Sequence, residues 1–282
     1  MTLLRVGLVQ FTAGDDPAEN TVALENLINS AVDNGAGFVL TPEASNMISF
    51  SRRHQQQALS PQESDPTLQS MKILAKKRGI WVLLGSLLLK SNAPDGRFVN
   101  RSFLISPKGK ICAHYDKIHM FDVSLGNGES FVESAQFQPG NRAVLANTEI
   151  GNIGTTICYD LRFPHLYRAL AKAGAQIITV PAAFTVTTGK AHWHSLLRAR
   201  AIESGCFVLA PAQTGTHTSG RKTYGHSLVV SPWGEVLSDA DTAEGVTFAD
   251  LDLKLVAEAR AKIPALTHDR EFSNPDEHKP EQ

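Results

Sequence analysis

Cysteine is scarce in this 282-residue chain, and the three that occur, Cys112, Cys158 and Cys206, stand far apart with no C-x-x-C pair among them. That excludes a disulfide framework and a zinc ribbon as organising devices. There is no surplus of either charge: 27 Lys and Arg against 28 Asp and Glu leave a net charge of -1, unlike a generic nucleic-acid or acidic-membrane binder. No apolar run approaches the roughly eighteen residues of a membrane span. Residues 1–10 lack the apolar centre of a secretion signal and read as a strand, so a soluble cytoplasmic protein without nucleic-acid or membrane partners is expected. Internal repeats and low-complexity linkers are missing too. What is there is a hydrophobic share of 42%, enough for a substantial core.

The apolar pattern falls into strand–helix–strand units broken by consecutive strands. Strands are expected over 4–9, 37–41, 80–85, 101–106, 111–115, 143–146, 153–157, 176–180, 207–210, 224–230, 235–237 and 245–251. Helices are expected over 19–32, from Pro66, from Pro164 and over 189–204, the second capped by Asp65. This order points to an α/β fold of two mixed sheets facing each other with helices outside, a four-layer α-β-β-α sandwich. A doubly wound three-layer sheet is the alternative. Residues 1–267 form the body and 268–282 a polar tail, either mobile or wrapped on a partner. Residues 117–140 show little periodicity and read as a long irregular loop of the kind that carries function.

Chemistry concentrates where strands end. Glu43, Lys117 and Cys158 each follow a strand directly, and strand ends on one rim can converge although far apart in sequence. A thiol is mostly protonated at neutral pH and needs a base or a cationic neighbour. A carboxylate can take its proton, and an ammonium can stabilise the oxyanion formed on attack at a carbonyl. Together the three make a metal-free acyl-transfer set. Singly each has a plainer reading, since a strand-end cysteine is more often buried structure and most Lys and Glu are solvated. Cys112 and Cys206 lie in strand-like runs and read as small buried hydrophobes. His192 and His194 stand two apart, which on a helix points them to different sides, and no carboxylate cluster accompanies them, so no metal site is expected. Trp193 and Trp233 read as packing residues.

The stretches around these residues resemble the nitrilase, or carbon–nitrogen hydrolase, superfamily over roughly residues 6–252. Leu40-Thr-Pro-Glu43-Ala resembles its glutamate box, Tyr115-Asp-Lys117-Ile-His-Met-Phe-Asp122 its lysine box, and Gly154-Thr-Thr-Ile-Cys158-Tyr-Asp-Leu-Arg-Phe-Pro164 its cysteine box. Residues 191–203 and 224–234 resemble its amidase branch. The resemblance implies the four-layer sandwich, no cofactor and no metal, with Glu43 as general base, Lys117 as oxyanion stabiliser and Cys158 as nucleophile passing through a thioester. It implies that the backbone N–H of Tyr159 completes the oxyanion hole. A second glutamate between lysine and cysteine is best matched by Glu133, with Glu129 its competitor. A small carboxamide substrate and a homodimer, or an assembly of dimers, are also implied.

Within that branch, Tyr159-Asp-Leu-Arg162-Phe-Pro resembles the cleavers of α-keto-acid amides. The stretch 213–226 looks more like the activity on deaminated glutathione than the ω-amidase activity on α-ketoglutaramate. On this reading Arg162 holds the keto-acid end; as a plain residue it is a surface or dimer-contact arginine. Phe184 and Thr185 line the pocket, with core packing the plainer role for Phe184. Arg221 and Lys222 meet the extra glycine carboxylate. A non-catalytic interaction protein that keeps the fold is the alternative from a different class.

Overall fold

The computed structural model describes residues 3–126 and 129–273, apart from the side chain of Glu129. The first half runs β1 (Leu4–Gln10), α1 (Pro17–Asp33), β2 (Phe38–Leu40), α2 (Arg52–Ala58), α3 (Pro66–Arg78), β3 (Trp81–Leu89), β4 (Val99–Ile105) and β5 (Ile111–Asp116). A hairpin of β6 (Asp122–Gly126) and β7 (Glu129–Val132) follows. Next come β8 (Val144–Thr148), β9 (Gly151–Thr155), α4 (Pro164–Lys172), β10 (Ile177–Thr179), α5 (Val186–Ser204) and β11 (Phe207–Ala210). The chain closes with β12 (Thr214–Thr216), β13 (Lys222–Tyr224), β14 (Leu228–Val230), β15 (Val236–Asp239), β16 (Gly245–Leu251) and α6 (Lys254–Lys262). No helix among the described residues is long and apolar enough to cross a membrane.

Local chemistry sets the helix ends. Asp16 and Asp65 accept hydrogen bonds from Ala18 N (2.7 Å) and Leu68 N (2.8 Å), each just ahead of a proline that gives up no bond at a helix start. Gly79 ends α3 in the left-handed conformation.

Two six-stranded sheets result, in the orders β16-β1-β2-β3-β4-β5 and β15-β14-β11-β10-β9-β8. Read from β16 and from β8, both follow the same sequence of pairings: antiparallel, parallel, parallel, antiparallel, antiparallel. The two ends of the chain meet in the first sheet, where Leu4 pairs with Leu251 and Gln10 with Gly245.

Side-chain alternation assigns the layers. Val6, Leu8, Phe38, Leu40 and Leu83 of the first sheet share one buried cluster with Ile153, Ile177, Phe207, Leu209 and Val229 of the second. The opposite face of the first sheet, with Val9, Val39 and Val82, packs with Leu24 and Ile28 of α1 and Leu68 and Met71 of α3. The opposite face of the second, with Ile178, Val208 and Val230, packs with Leu166 and Leu170 of α4 and Trp193 and Leu197 of α5. The molecule is therefore the four-layer α-β-β-α sandwich, and the three-layer alternative is excluded.

Gly85 sets how closely the sheets approach at the functional end. A Cβ on it would stand 1.9 Å from Thr41 O, 2.5 Å from Pro42 O and 2.5 Å from Pro181 Cβ. Glycine there lets β3 pass beneath the chain leading to Glu43 while Pro181 closes in from the second sheet.

The structure departs from the sequence reading in several places. Residues 117–140 are irregular only in part: among the described residues they hold the β6–β7 hairpin and a 3-10 turn at Glu133–Ala135. The polar stretch after Thr214 is the β12–β13 hairpin, and the strand expected over 224–230 divides into β13 and β14. Cys112 is exposed, because it faces outward on β5, the edge strand of its sheet; Cys206 is buried. Trp193 is fully buried, but Trp233 is 52% exposed, with Lys262 over its ring. The tail's first residues lie on their own chain, where Asp269 pairs with Arg168 and Lys172 of α4. Residues 274–282 fall outside the described residues.

Candidate active site

Four side chains meet where strands of both sheets end. Glu43 follows β2, Lys117 follows β5, and Cys158 opens a 3-10 turn shortly after β9; Glu133 begins the turn after β7. Lys117 Nζ donates to Glu43 Oε1 at 2.8 Å and to both Glu133 oxygens at 2.9 Å. The Cys158 thiol stands beside the Glu43 carboxylate, close enough for the two groups to interact. The backbone of Cys158 sits at φ 49, a left-handed value uncommon outside glycine, and its N–H is tied to Pro181 O at 2.9 Å. That strained corner lifts the side chain out of the strand direction toward Glu43.

Glu43 is fixed on every side. Its Oε1 also accepts from Asn100 Nδ2 at 3.0 Å and its Oε2 from Ala183 N at 2.9 Å, while Gln213 Nε2 holds its backbone carbonyl at 3.0 Å. Glu133 is held by Phe121 N at 2.6 Å. Glu129, the competing candidate, has no described side chain.

Burial makes the electrostatics strong: Lys117 is 2%, Glu43 5% and Cys158 7% exposed. Burial disfavours the Lys117 cation, but the Glu133 and Glu43 carboxylates outweigh it and hold its pKa above the ordinary lysine value. Burial alone would raise the Glu43 pKa; the Lys117 charge and hydrogen bond, with the neighbouring thiol and the Arg221 charge, bring it below the ordinary carboxylate range. Burial and the Glu43 charge push the Cys158 thiol well above its usual value, with Lys117 opposing. The resting site is therefore a neutral thiol beside a carboxylate base and a fixed ammonium. Such a set forms its thiolate by proton transfer to Glu43 as attack occurs, and acyl transfer from a carbonyl is the chemistry it suits.

A cavity of about 400 Å³ opens over these groups, a ligand-pocket size. Glu43, Lys117, Glu133, Cys158, Tyr159, Phe184, Thr185 and Arg221 all line it, with Phe121 and Phe131. Thr185 also caps α5, and Phe184 packs on Trp193. Arg162 is not among the residues that line the cavity: its guanidinium lies 5.8 Å and 5.5 Å from the ring centres of Tyr159 and Phe184, which do line it, and against His192. Lys222, the first residue of β13, is exposed and is also not among the lining residues.

Sequence reading missed Asp160. Fully buried, it accepts from Tyr115 Oη (2.7 Å), Ile157 N (2.8 Å) and His119 N (3.1 Å), with His119 Nδ1 at 2.7 Å. It thus braces the residues flanking Lys117 to the turn that carries Cys158. Its place two residues after the cysteine was the available signal, but a lone aspartate in a turn more often caps it or faces water.

Comparison with known proteins places this geometry. The carbon-nitrogen hydrolase family model matches residues 5–261. A deaminated glutathione amidase of Yersinia enterocolitica is 39% identical over 274 residues, covering 95% of this chain and 94% of that one. The crystal structure of the Caenorhabditis elegans NitFhit protein superposes with a TM-score of 0.87 at 36% identity, covering 96% of this chain and 66% of that one, so this chain spans about two-thirds of its length. Saccharomyces cerevisiae Nit3, described as a member of branch 10 of the nitrilase superfamily, gives a TM-score of 0.85 at 28% identity over 96% of this chain and 97% of that one.

Proposed function

Since the chain belongs to the carbon–nitrogen hydrolase family, we propose that it is a cysteine-dependent amidase that cleaves a small α-keto-acid amide, deaminated glutathione, into 2-oxoglutarate and cysteinylglycine. The observation that carries this reading is the buried run Glu133–Lys117–Glu43–Cys158 on one cavity wall. Cys158 Sγ attacks the amide carbon while its proton passes to Glu43. The oxyanion faces the Lys117 ammonium and the backbone N–H of Tyr159, which lies in the first turn, where N–H groups lack helical partners. Glu43 returns the proton to the departing amine and leaves a thioester. Water, deprotonated by Glu43, then attacks the thioester, and collapse of that intermediate releases the acid and restores the thiol. Glu133 holds Lys117 in place rather than exchanging protons with the substrate.

Arg221 supports the longer substrate. It lines the cavity above Phe131, anchored to Ala183 O, and its charge reaches Glu43. A guanidinium there can take the glycine carboxylate that α-ketoglutaramate lacks. The test compares kcat/KM for deaminated glutathione and α-ketoglutaramate. Deaminated glutathione should be preferred, and Arg221→Gln should lower its kcat/KM by about 10–100-fold, the scale of one charge-assisted contact, with a smaller effect on α-ketoglutaramate. A clear preference for α-ketoglutaramate overturns the substrate and leaves the thiol chemistry standing.

A homodimer goes with this reading. Ile202, Trp233 and Ile263 are exposed around a shallow groove that also holds Pro232, Ala259 and Leu266, where the end of α5 meets α6. An apolar groove framed by helices suits a second copy of the chain. Sedimentation equilibrium at micromolar concentration should give a mass of twice the chain or more; a strictly monomeric mass contradicts it.

A further inference from the structure

We propose that His194, His226 and Asp239 form a site for a borderline divalent transition ion of the Zn²⁺ type, outside the cavity that holds Cys158. The three come from separate elements: His194 from α5, His226 from the turn between β13 and β14, and Asp239 from the end of β15. Their donor atoms all lie within 4.8 Å of one another. His194 Nε2 is 2.9 Å from Asp239 Oδ2, and His226 Nδ1 is 3.0 Å from Asp239 Oδ1. In a tetrahedral zinc site with ligands at about 2.0–2.2 Å the donors stand roughly 3.3–3.6 Å apart, so the two Asp239 contacts are already near that spacing and the wider pair, within 4.8 Å, closes by about 1 Å.

The surroundings orient the donors. Asp241 N donates to Asp239 Oδ1 at 2.9 Å. The His226 ring stacks on Tyr224 at 4.4 Å between centroids, with 26° between planes. The His226 backbone is left-handed, at φ 56, and its carbonyl accepts from Trp193 Nε1 at 2.8 Å. These contacts fix the imidazole and the carboxylate in place before an ion arrives. Two imidazoles and one carboxylate suit zinc, nickel or copper rather than magnesium or calcium, and three protein ligands leave room for water. All three residues are at least partly exposed, so a hydrated ion can reach them. The competing reading is a pair of imidazole–carboxylate hydrogen bonds; an ion would displace the two bridging protons and tie α5 to β15. His192 takes no part, since its ring faces Arg162.

The test uses the full chain with accessible thiols alkylated, so that cysteine cannot compete for the ion. After chelator treatment and removal of the chelator, zinc chloride alone is titrated in by calorimetry at about pH 7.5, where imidazole is mostly neutral. One ion per chain should bind, and the melting temperature should rise with zinc. His194→Ala and His226→Asn should each weaken binding about tenfold or more and remove the thermal shift; asparagine tolerates the left-handed backbone, and circular dichroism checks both folds. Absence of zinc binding, or equal affinity in wild type and both variants, overturns the site. The readout does not involve turnover, so it stands apart from the proposed amidase activity.

Discussion

Cys158→Ala should give a folded protein with no measurable turnover. The thiol is the attacking atom in the proposed reaction, and nothing else in the cavity replaces it: Lys117 is locked as a cation between two carboxylates, and Glu43 is held by Lys117, Asn100 and the Ala183 N–H. Loss of a nucleophile in a covalent mechanism lowers kcat by about a millionfold. Stability should change by no more than about 1 kcal/mol, because alanine keeps the Cβ and the backbone bond from Cys158 N to Pro181 O. Amine release by the pure variant and its thermal unfolding check both halves. Turnover within about a hundredfold of wild type would remove Cys158 from the nucleophile's role.

Lys117→Met has the second-largest expected effect, and it falls on activity and stability together. Methionine keeps the length of the side chain and removes the charge. The oxyanion then loses its counter-charge, which costs about 10²–10³ in kcat. Glu43 and Glu133 are left as buried carboxylates without the cation between them, a situation that costs about 3–5 kcal/mol when one partner of a buried pair is removed. The pH profile separates these effects from a general loosening. In the wild type Lys117 holds the Glu43 pKa below the ordinary carboxylate value; in the variant the cation is gone and burial remains, so Glu43 protonates at higher pH. The acid limb of the residual kcat/KM should move upward. A mild loss with an unmoved acid limb would make Lys117 a structural residue.

The parts of the molecule legible in the sequence are those in which one face meets a core. Strands β2, β3, β10 and β11 carry dense apolar runs because both faces are covered, and strand–helix–strand units broken by consecutive strands suggested two facing sheets. Glu43, Lys117 and Cys158 stood out because each breaks such a run at its end. The β6–β7 and β12–β13 hairpins were not legible: each is a two-stranded sheet of short strands with few apolar residues, too little pattern to mark a strand. Arg162 and Lys222 lie outside the cavity lining, whereas Arg221 is part of it. A charge near a site in sequence does not say which way its side chain points: Arg221 lines the cavity and Lys222 beside it does not. Asp160 lay beyond sequence reading because its importance rests on partners forty residues away, Tyr115 and His119.

The pairing of β1 with β16 has a consequence for how the molecule comes into being. β1 is synthesised long before β16, its antiparallel partner, so that side of β1 stays unpaired until residue 251 is available. Glu43, Lys117 and Cys158 are all synthesised well before that closure. Contacts of such long sequence separation form slowly, and an open edge invites pairing with other chains in the meantime. The growing polypeptide thus passes through an interval in which its reactive groups exist but the seam beside β1 is open, and β16 acts as the fastener that ends that interval.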